Sequence, residues 1–149
     1  MLYSQKQVRD ELDISQETYR YWAKVLPSLA SRAGKSARLT FGDVLALAFT
    51  RTLCDRFGIR IGAIAPAIED LFVQLNNRSW VGLEACWLKI TNRTIELVVP
   101  NRGQLLASGE DSIFIECAPV IGEVRAKMLA AAPDQLRITF GPKVIGRQK

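Results

Sequence analysis

The stretch from Ser15 to Lys24 constrains the fold of this chain more than any other, because it has the pattern of a short, well-capped helix. The Ser15 hydroxyl can accept from the free backbone N–H groups of the first turn. On a period of 3.6 residues, Tyr19 and Trp22 fall on one side, where they can anchor the helix to a core. The remaining positions carry hydrogen-bonding side chains that can reach phosphates and base edges, namely Gln16, Glu17, Arg20, Tyr21 and Lys24.

A second capped helix is predicted immediately before this one. Ser4 and Gln7 have the spacing of a capping box, and the helix that they open places Val8 and Leu12 on one face. Two short helices joined by a turn of three or four residues form a helix-turn-helix, whose second helix enters the DNA major groove with its N-terminal end first. The same pattern also fits an αα-hairpin in a helical domain, so the pattern alone leaves both interpretations open.

The segment after the predicted recognition helix is basic. Pro27 ends the helix, and the small residues around Gly34 predict a hairpin or an extended loop. The charges of this segment, on Arg32, Lys35 and Arg38, are all positive. A run of charge is usually a solvated surface. Its position directly after the recognition helix favours a wing, residues 31–38, that lies along the DNA backbone.

Two longer helices are predicted next. Thr40 and Asp43 form another capping box, and Gly58 supplies the left-handed residue that ends the helix. Pro66 interrupts the apolar stripe that follows, which predicts either a kink or a helix that starts near that residue. Both apolar stripes are assigned to the core.

The second half of the chain is predicted to be rich in strands, because Asn76-Asn77-Arg78 interrupts the helical periodicity. The predicted strands are 83–91, 94–99, 112–117 and 135–140, with the first two joined at Asn92-Arg93. A turn at 101–103, a helix at 119–132 and a basic tail at 141–149 complete this half. Trp80 and Trp87 could line an effector pocket, although core or interface positions are favoured.

Composition excludes several classes of function. The chain has 149 residues, a formal net charge of +5 and no histidine, so it lacks the commonest general base and the commonest metal ligand. Cys54, Cys86 and Cys117 lie far apart and are predicted to be reduced core residues of a cytoplasmic protein. No carboxylates pair at catalytic spacing, and no signal or membrane-spanning run is present. We therefore expect no enzyme activity, no metal, no cofactor and no membrane insertion.

Four segments within residues 3–72 resemble the MerR family of regulators. Thr18-Tyr19-Arg20-Tyr21-Trp22 is similar to the family's Thr-Leu-Arg-Tyr-Tyr/Trp signature, and Leu26-Pro27-Ser28-Leu29 to the Phe-Pro-x-Leu that follows it in one branch. Residues 38–44 resemble the Arg-x-Tyr/Thr-x-x-Asp-Leu segment, and residues 58–64 resemble Gly-hydrophobic-x-Leu-x-x-Ile. The resemblance implies a winged helix-turn-helix domain. It ends before the second half, where the family usually has a long dimerising helix.

The resemblance also implies which residues meet DNA. In the family, the residues that match Arg20 and Tyr21 contact DNA, and basic residues of the wing contact the backbone. Ala23 stands where the family usually has Glu, and Glu17 stands where a basic residue is common, so a carboxylate could accept from a cytosine amino group. The predicted DNA-binding residues are Gln16, Glu17, Thr18, Arg20, Tyr21 and Lys24 of the recognition helix (15–24), with Arg32, Lys35 and Arg38 of the wing (31–38).

The chain is therefore predicted to be an α+β protein in which a MerR-like winged helix-turn-helix (1–75) precedes a small β-rich α+β domain (76–149). The predicted function is sequence-specific binding of double-stranded DNA for transcriptional control. Winged regulators read symmetric half-sites in pairs, which predicts a homodimer formed through the C-terminal domain. The alternative role for that domain is to bind a small effector or a protein partner. An excisionase, a DNA-packaging adaptor and a protein-interaction adaptor without DNA affinity are the alternative functions.

Overall fold

The computed structural model describes residues 2–32, 37–99 and 111–131, without the side chains of Trp80, Val81 and Ala131. These ranges form a mixture of helices and two small antiparallel sheets, which confirms the α+β class. The helices are α1 (Gln5–Leu12), α2 (Gln16–Val25), α3 (Pro27–Ala30), α4 (Phe41–Phe57), α5 (Ala65–Asn76), α6 (Trp80–Leu83) and α7 (Cys117–Ala131), with a 3₁₀ helix at Ile61–Ala63. The strands are β1 (Leu2–Ser4), β2 (Arg38–Thr40), β3 (Trp87–Ile90), β4 (Ile95–Val98) and β5 (Ile113–Glu116).

The predicted capping residues begin and end the helices of the first half. The Ser4 hydroxyl accepts from the backbone N–H of Gln7 at 3.1 Å, and the Gln7 side chain accepts from the Ser4 N–H at 2.9 Å. Thr40 and Asp43 make the same reciprocal pair at the start of α4, with both distances 3.0 Å. Gly58 ends α4 with φ at 63°, in the left-handed region that glycine enters without strain.

Pro27 and Pro66 each lie at the start of a helix, which corrects one expectation and confirms another. Pro27 follows α2 as predicted, but it begins the short helix α3 where a loop was expected. Pro66 lies in the first turn of α5, so the prediction that a new helix starts near it is confirmed and no kink is needed. The physical reason is the same at both sites, since a proline at the start of a helix lacks an N–H that would have no intrahelical partner.

The predicted strand 83–91 is wrong in its first half. Residues 80–83 form α6, and the backbone then turns so that the Cys86 N–H bonds to the Leu83 carbonyl at 3.0 Å. Only residues 87–90 pair as a strand. Cys117, predicted to end a strand, instead begins α7. The predicted turn at 101–103, strand at 135–140 and tail at 141–149, together with Lys35, lie outside the described residues.

The first sheet joins strands that are far apart in the sequence, whereas the second contains a hairpin of consecutive strands. β1 pairs with β2 across a wide separation in sequence, with Leu2 opposite Thr40. The order in the second sheet is β4-β3-β5, and all of its pairs are antiparallel. The predicted hairpin at Asn92-Arg93 joins β3 to β4, and the Thr91 N–H donates to the Thr94 carbonyl at 2.9 Å.

One hydrophobic core runs across the predicted boundary at residue 75. It contains Tyr19 and Trp22 of α2 together with Met128 of α7. α7 packs against α1 and α4 and buries the stripe formed by Cys117, Ile121, Val124 and Met128. The Gln74 amide of α5 donates to the Ile95 carbonyl of β4 at 3.0 Å and accepts from the Leu97 N–H at 3.2 Å. The two predicted halves therefore share a core and a hydrogen-bonded seam.

Candidate nucleic-acid interface

α1 and α2 are joined by a tight, hydrogen-bonded turn. Asp13 ends α1 with φ at 55° and ψ at 49°, a left-handed conformation that Asp tolerates better than most residues. Ile14 is buried beneath the turn, and its N–H donates to the Arg9 carbonyl at 2.9 Å. The Ser15 hydroxyl then caps α2 by accepting from the Thr18 N–H at 3.0 Å. The relative position of the two helices is thus fixed by short-range bonds and by one buried side chain.

α2 divides into an anchored face and an exposed face, as its sequence predicts. Tyr19 and Trp22 are only 2% and 4% exposed and belong to the core. The predicted DNA-binding positions of the helix are all exposed: Gln16, Glu17, Thr18, Arg20, Tyr21 and Lys24. A helix held from one side by two large aromatic rings presents its other side without further ordering, which lowers the entropic cost of binding.

The 3₁₀ helix packs beside α2 and adds a basic residue that the sequence analysis did not select. A Cβ placed on Gly62 would lie 3.8 Å from the Tyr21 hydroxyl, so Tyr21 leans over this element while remaining 52% exposed. Arg60 comes immediately before the 3₁₀ helix and is exposed. Arg60 was within the segment 58–64 that the sequence analysis singled out, but only the packing of the adjacent 3₁₀ helix on α2 brings this residue to attention.

The three basic residues predicted for the wing differ in their exposure and bonding. Arg38 is exposed on β2 and donates to the Ala37 carbonyl at 3.0 Å. Lys35 lies outside the described residues. Arg32 turns inward: its Nε lies 2.9 Å from an Asp43 carboxylate oxygen, and its Nη1 donates to the Ser28 carbonyl at 2.5 Å. The structure therefore places Arg38 at the surface, whereas the guanidinium of Arg32 is bonded to Asp43 and Ser28 and its side chain is 31% exposed.

A buried carboxylate, that of Asp43, lies in the first turn of α4. Asp43 is fully buried and accepts from the Thr40 N–H at 3.0 Å, from Arg32 Nε at 2.9 Å and from Asn76 Nδ2 at 2.9 Å. Buried charge is tolerated only when it is paired and hydrogen-bonded, and here each carboxylate oxygen has a donor. Asn76 is itself fixed, because its Nδ2 also donates to the Phe72 carbonyl at 2.9 Å.

The hydroxyl of Tyr19 is the second polar group buried in this region. Among the described residues it has no hydrogen-bond partner. Burial, followed by the negative charge of Asp43, raises the pKa of Tyr19 to about 12. The phenol therefore stays neutral at physiological pH, and Tyr19 acts as an anchor of α2 and makes no contact at the exposed face.

The other described residues that could carry chemistry are a few cysteines and acidic side chains and Trp87. Within the described ranges, no group of three or more His, Cys, Asp or Glu side chains could hold a metal ion. Cys86 and Cys117 are buried as predicted, and burial raises the pKa of Cys117 to about 12, while Cys54 is only half-buried. Trp87 is half-buried on β3. No helix in the described part of the chain is long and apolar enough to span a bilayer.

The comparisons with known proteins identify no relative of this chain. No family model matches it, no curated protein matches it, and no solved structure matches it. The functional interpretation of α1 and α2 therefore depends on the residues and the geometry described above.

Proposed function

We propose that this protein binds double-stranded DNA in a sequence-specific manner, as a transcriptional regulator, with α2 in the major groove. The observation that carries the proposal is the division of α2 into a face anchored by Tyr19 and Trp22 and an exposed polar face. The major groove is about 12 Å wide and admits one helix. The tight turn at Asp13, followed by the Ser15 cap, is the connection that a helix-turn-helix requires.

The exposed face of α2 carries side chains suited to reading bases. Arg20 can donate two bonds to guanine, Gln16 can pair with adenine, and Glu17 can accept from the amino group of cytosine. All three lie in the first half of α2, the end that enters the groove. A face with one basic, one acidic and one amide side chain favours readout of a particular sequence over attraction to any phosphate chain.

Three exposed basic residues support contacts with the DNA backbone. Lys24 lies in the last turn of α2, Arg38 lies on β2, and Arg60 precedes the 3₁₀ helix that packs on α2. Phosphate contacts fix the position and orientation of a protein on the duplex. In this proposal Arg60 is a second backbone contact on the side of α2 where Tyr21 meets Gly62.

The proposal is tested by selection of bound duplexes from a random pool, followed by titration of the enriched sequence at several salt concentrations. We expect one enriched motif and an affinity that falls steeply with salt. The Gln16→Ala/Arg20→Ala double variant should lose the preference for the motif. The matched control Lys127→Ala removes one half-buried positive charge, which is bonded to Glu123, from α7 and should retain the preference.

Three outcomes would overturn or redirect the proposal. If no duplex is bound above background, the protein-interaction adaptor becomes the better interpretation. If the protein binds every duplex equally, the result fits a DNA-packaging adaptor. If it binds a motif that it bends strongly, as judged by the mobility of circularly permuted fragments, the result fits an excisionase.

A further inference from the structure

A cavity of about 310 Å³ lies between α1, α4 and α7, and its lining includes none of the predicted DNA-binding residues. All of its lining residues belong to the described part of the chain. Its floor is apolar and is formed by the buried side chains of Leu12, Ala48 and Val124. A volume of this size lies at the lower end of the range of small-molecule sites. The cavity therefore has room for one small ligand with an apolar part.

Charges of both signs line this cavity. The charged lining residues are two arginines and two acids: Arg51, Arg56, Asp55 and Glu123. Two further charges stand next to them, since Asp13 Oδ2 lies 3.9 Å from Arg51 Nη2 and Lys127 Nζ lies 2.9 Å from Glu123 Oε1. The positive and negative charges of this group are equal in number. An ion of one sign therefore gains little net attraction, whereas a molecule that carries both signs can pair with each.

The two arginines on α4 retain donors for a ligand carboxylate. Arg51 is half-buried and bonds to Asp55 through its Nε at 3.2 Å, which leaves its two terminal nitrogens. The distance of 3.9 Å from Arg51 Nη2 to Asp13 is too long for a hydrogen bond. Within the described ranges, Arg56 forms no hydrogen bond and no ion pair. A guanidinium group with free terminal nitrogens can bind a carboxylate through two parallel bonds.

Glu123 supplies a negative charge from the opposite wall, on α7. The hydrogen bond from Lys127 holds the pKa of Glu123 below its usual range, and the guanidinium groups of Arg51 and Arg56 lower this pKa further. Both arginines therefore lie close enough to Glu123 for one small molecule to meet a guanidinium and this carboxylate together. An ionised carboxylate accepts hydrogen bonds, which suits it to a ligand ammonium.

We infer that the cavity between α1, α4 and α7 binds a small zwitterion of the α-amino acid class. The ligand carboxylate pairs with Arg51 and Arg56, the ammonium pairs with Glu123, and a small aliphatic side chain covers the apolar floor.

The position of the cavity connects it to the turn between α1 and α2. Leu12 is the last residue of α1, and Asp13, which follows it, forms the left-handed residue of the turn. A ligand that contacts Leu12 and Arg51 adds contacts at the end of α1, so the turn should open less often when the ligand is bound. That a steadier turn favours binding of DNA by α2 rests on the proposed function.

Calorimetric titration of the intact protein tests the site with L-leucine, L-valine and two analogues of leucine. Isocaproate lacks the ammonium of leucine, and isoamylamine lacks its carboxylate. We expect leucine or valine to bind saturably with a Kd of about 1 mM or tighter, and each analogue to bind about tenfold more weakly than leucine, because each loses one charged contact.

Three variants test which side chains hold the ligand. Arg51→Gln should weaken leucine binding by about tenfold. Glu123→Gln should weaken binding of leucine and leave binding of isocaproate unchanged, since isocaproate has no ammonium. The matched control Arg93→Gln removes an exposed arginine from outside the lining and should bind leucine as the unaltered protein does. Circular dichroism confirms that each variant is folded, and Arg56→Gln, at an exposed position, replaces Arg51→Gln if that variant does not fold.

Hydrogen exchange of the peptide covering residues 9–18, measured without DNA, tests the connection to the turn. Exchange should slow when leucine is added to the unaltered protein and should not change when it is added to Arg51→Gln. Binding of leucine without any change in exchange would overturn the connection to the turn.

The site itself is overturned if neither leucine nor valine binds saturably, or if an analogue that lacks one charge binds as tightly as leucine. It is also overturned if Arg93→Gln weakens binding as much as Arg51→Gln does. If the unaltered protein binds no DNA, the proposed function fails, whereas the calorimetric and exchange measurements use no DNA and still decide this inference.

Discussion

At the scale of single residues, Arg20 is the side chain on which the proposed readout of DNA depends most. It is exposed on α2, and its neighbour Tyr19 is anchored in the core. We expect Arg20→Ala to weaken binding to the selected sequence by about 1–3 kcal/mol, the usual value of a charged contact in a groove. A gel-shift titration measures the change. Unaltered affinity in a folded variant would remove Arg20 from the interface.

Tyr19 gives a prediction that depends on pH. The pKa of its phenol is raised to about 12 in the folded protein, mainly by burial, whereas the unfolded value is near 10. The folded state therefore holds the phenolic proton more strongly, and the stability that this contributes is present below pH 10 and is lost as the pH rises from 10 through 12. Tyr19→Phe should remove that loss.

Urea unfolding at pH 8 and at pH 11 tests the prediction for Tyr19. At pH 8 the variant should be as stable as the unaltered protein or about 1 kcal/mol more stable, because the hydroxyl has no hydrogen-bond partner among the described residues. At pH 11 the advantage of Tyr19→Phe should be larger. An equal difference at both pH values would show that Tyr19 does not titrate as its burial requires.

At the scale of elements, the wing and α2 should divide the work of binding. Arg38 lies on β2 at the edge of the wing, where a short basic segment has little geometry for reading bases. We expect Arg38→Gln to lower affinity equally for selected and random duplexes and to reduce the salt slope by about one unit. Titration of both duplexes at three salt concentrations measures this. Loss of preference at one base pair would show that the wing reads sequence.

α7 connects the second half to α1 and α4. Its buried stripe packs against α1 and α4, so α7 supports α1, the helix that precedes α2. Gln74 adds a bond between α5 and the edge of β4. A fragment ending near residue 75 would expose the surfaces of α1 and α4 that α7 covers. Tests of assembly should therefore use the intact chain.

At the scale of the whole molecule, we propose a homodimer formed through the part of the chain after residue 76. Val99 and Leu129 are exposed apolar side chains in this part, and a paired reader of half-sites needs two copies of α2. Sedimentation of the intact protein should give the dimer mass, and Leu129→Asp should shift it toward the monomer. Val73→Asp, an equal change on α5, is the control and should leave the dimer intact. A monomeric intact protein would favour effector or partner docking instead.

The sequence by itself determined the features that depend on bonds between close neighbours. The caps at Ser4, Ser15 and Thr40 each join a side chain to an N–H three residues away, and Gly58 ends α4 by its own backbone freedom. The two faces of α2 follow in the same way from helical spacing. Such features can be predicted because their partners lie within one helical turn, where the order of residues fixes the geometry.

Only the tertiary structure decided the features whose partners are distant in the sequence. Arg32 was predicted to contact phosphate, yet its guanidinium bonds to the Asp43 carboxylate and to the Ser28 carbonyl. The 3₁₀ helix that follows Arg60 packs beside α2, and α7 packs against α1 from more than 100 positions away in the chain. No local pattern records these contacts, because the burial and pairing of a charge are set by whichever surfaces the whole core brings together.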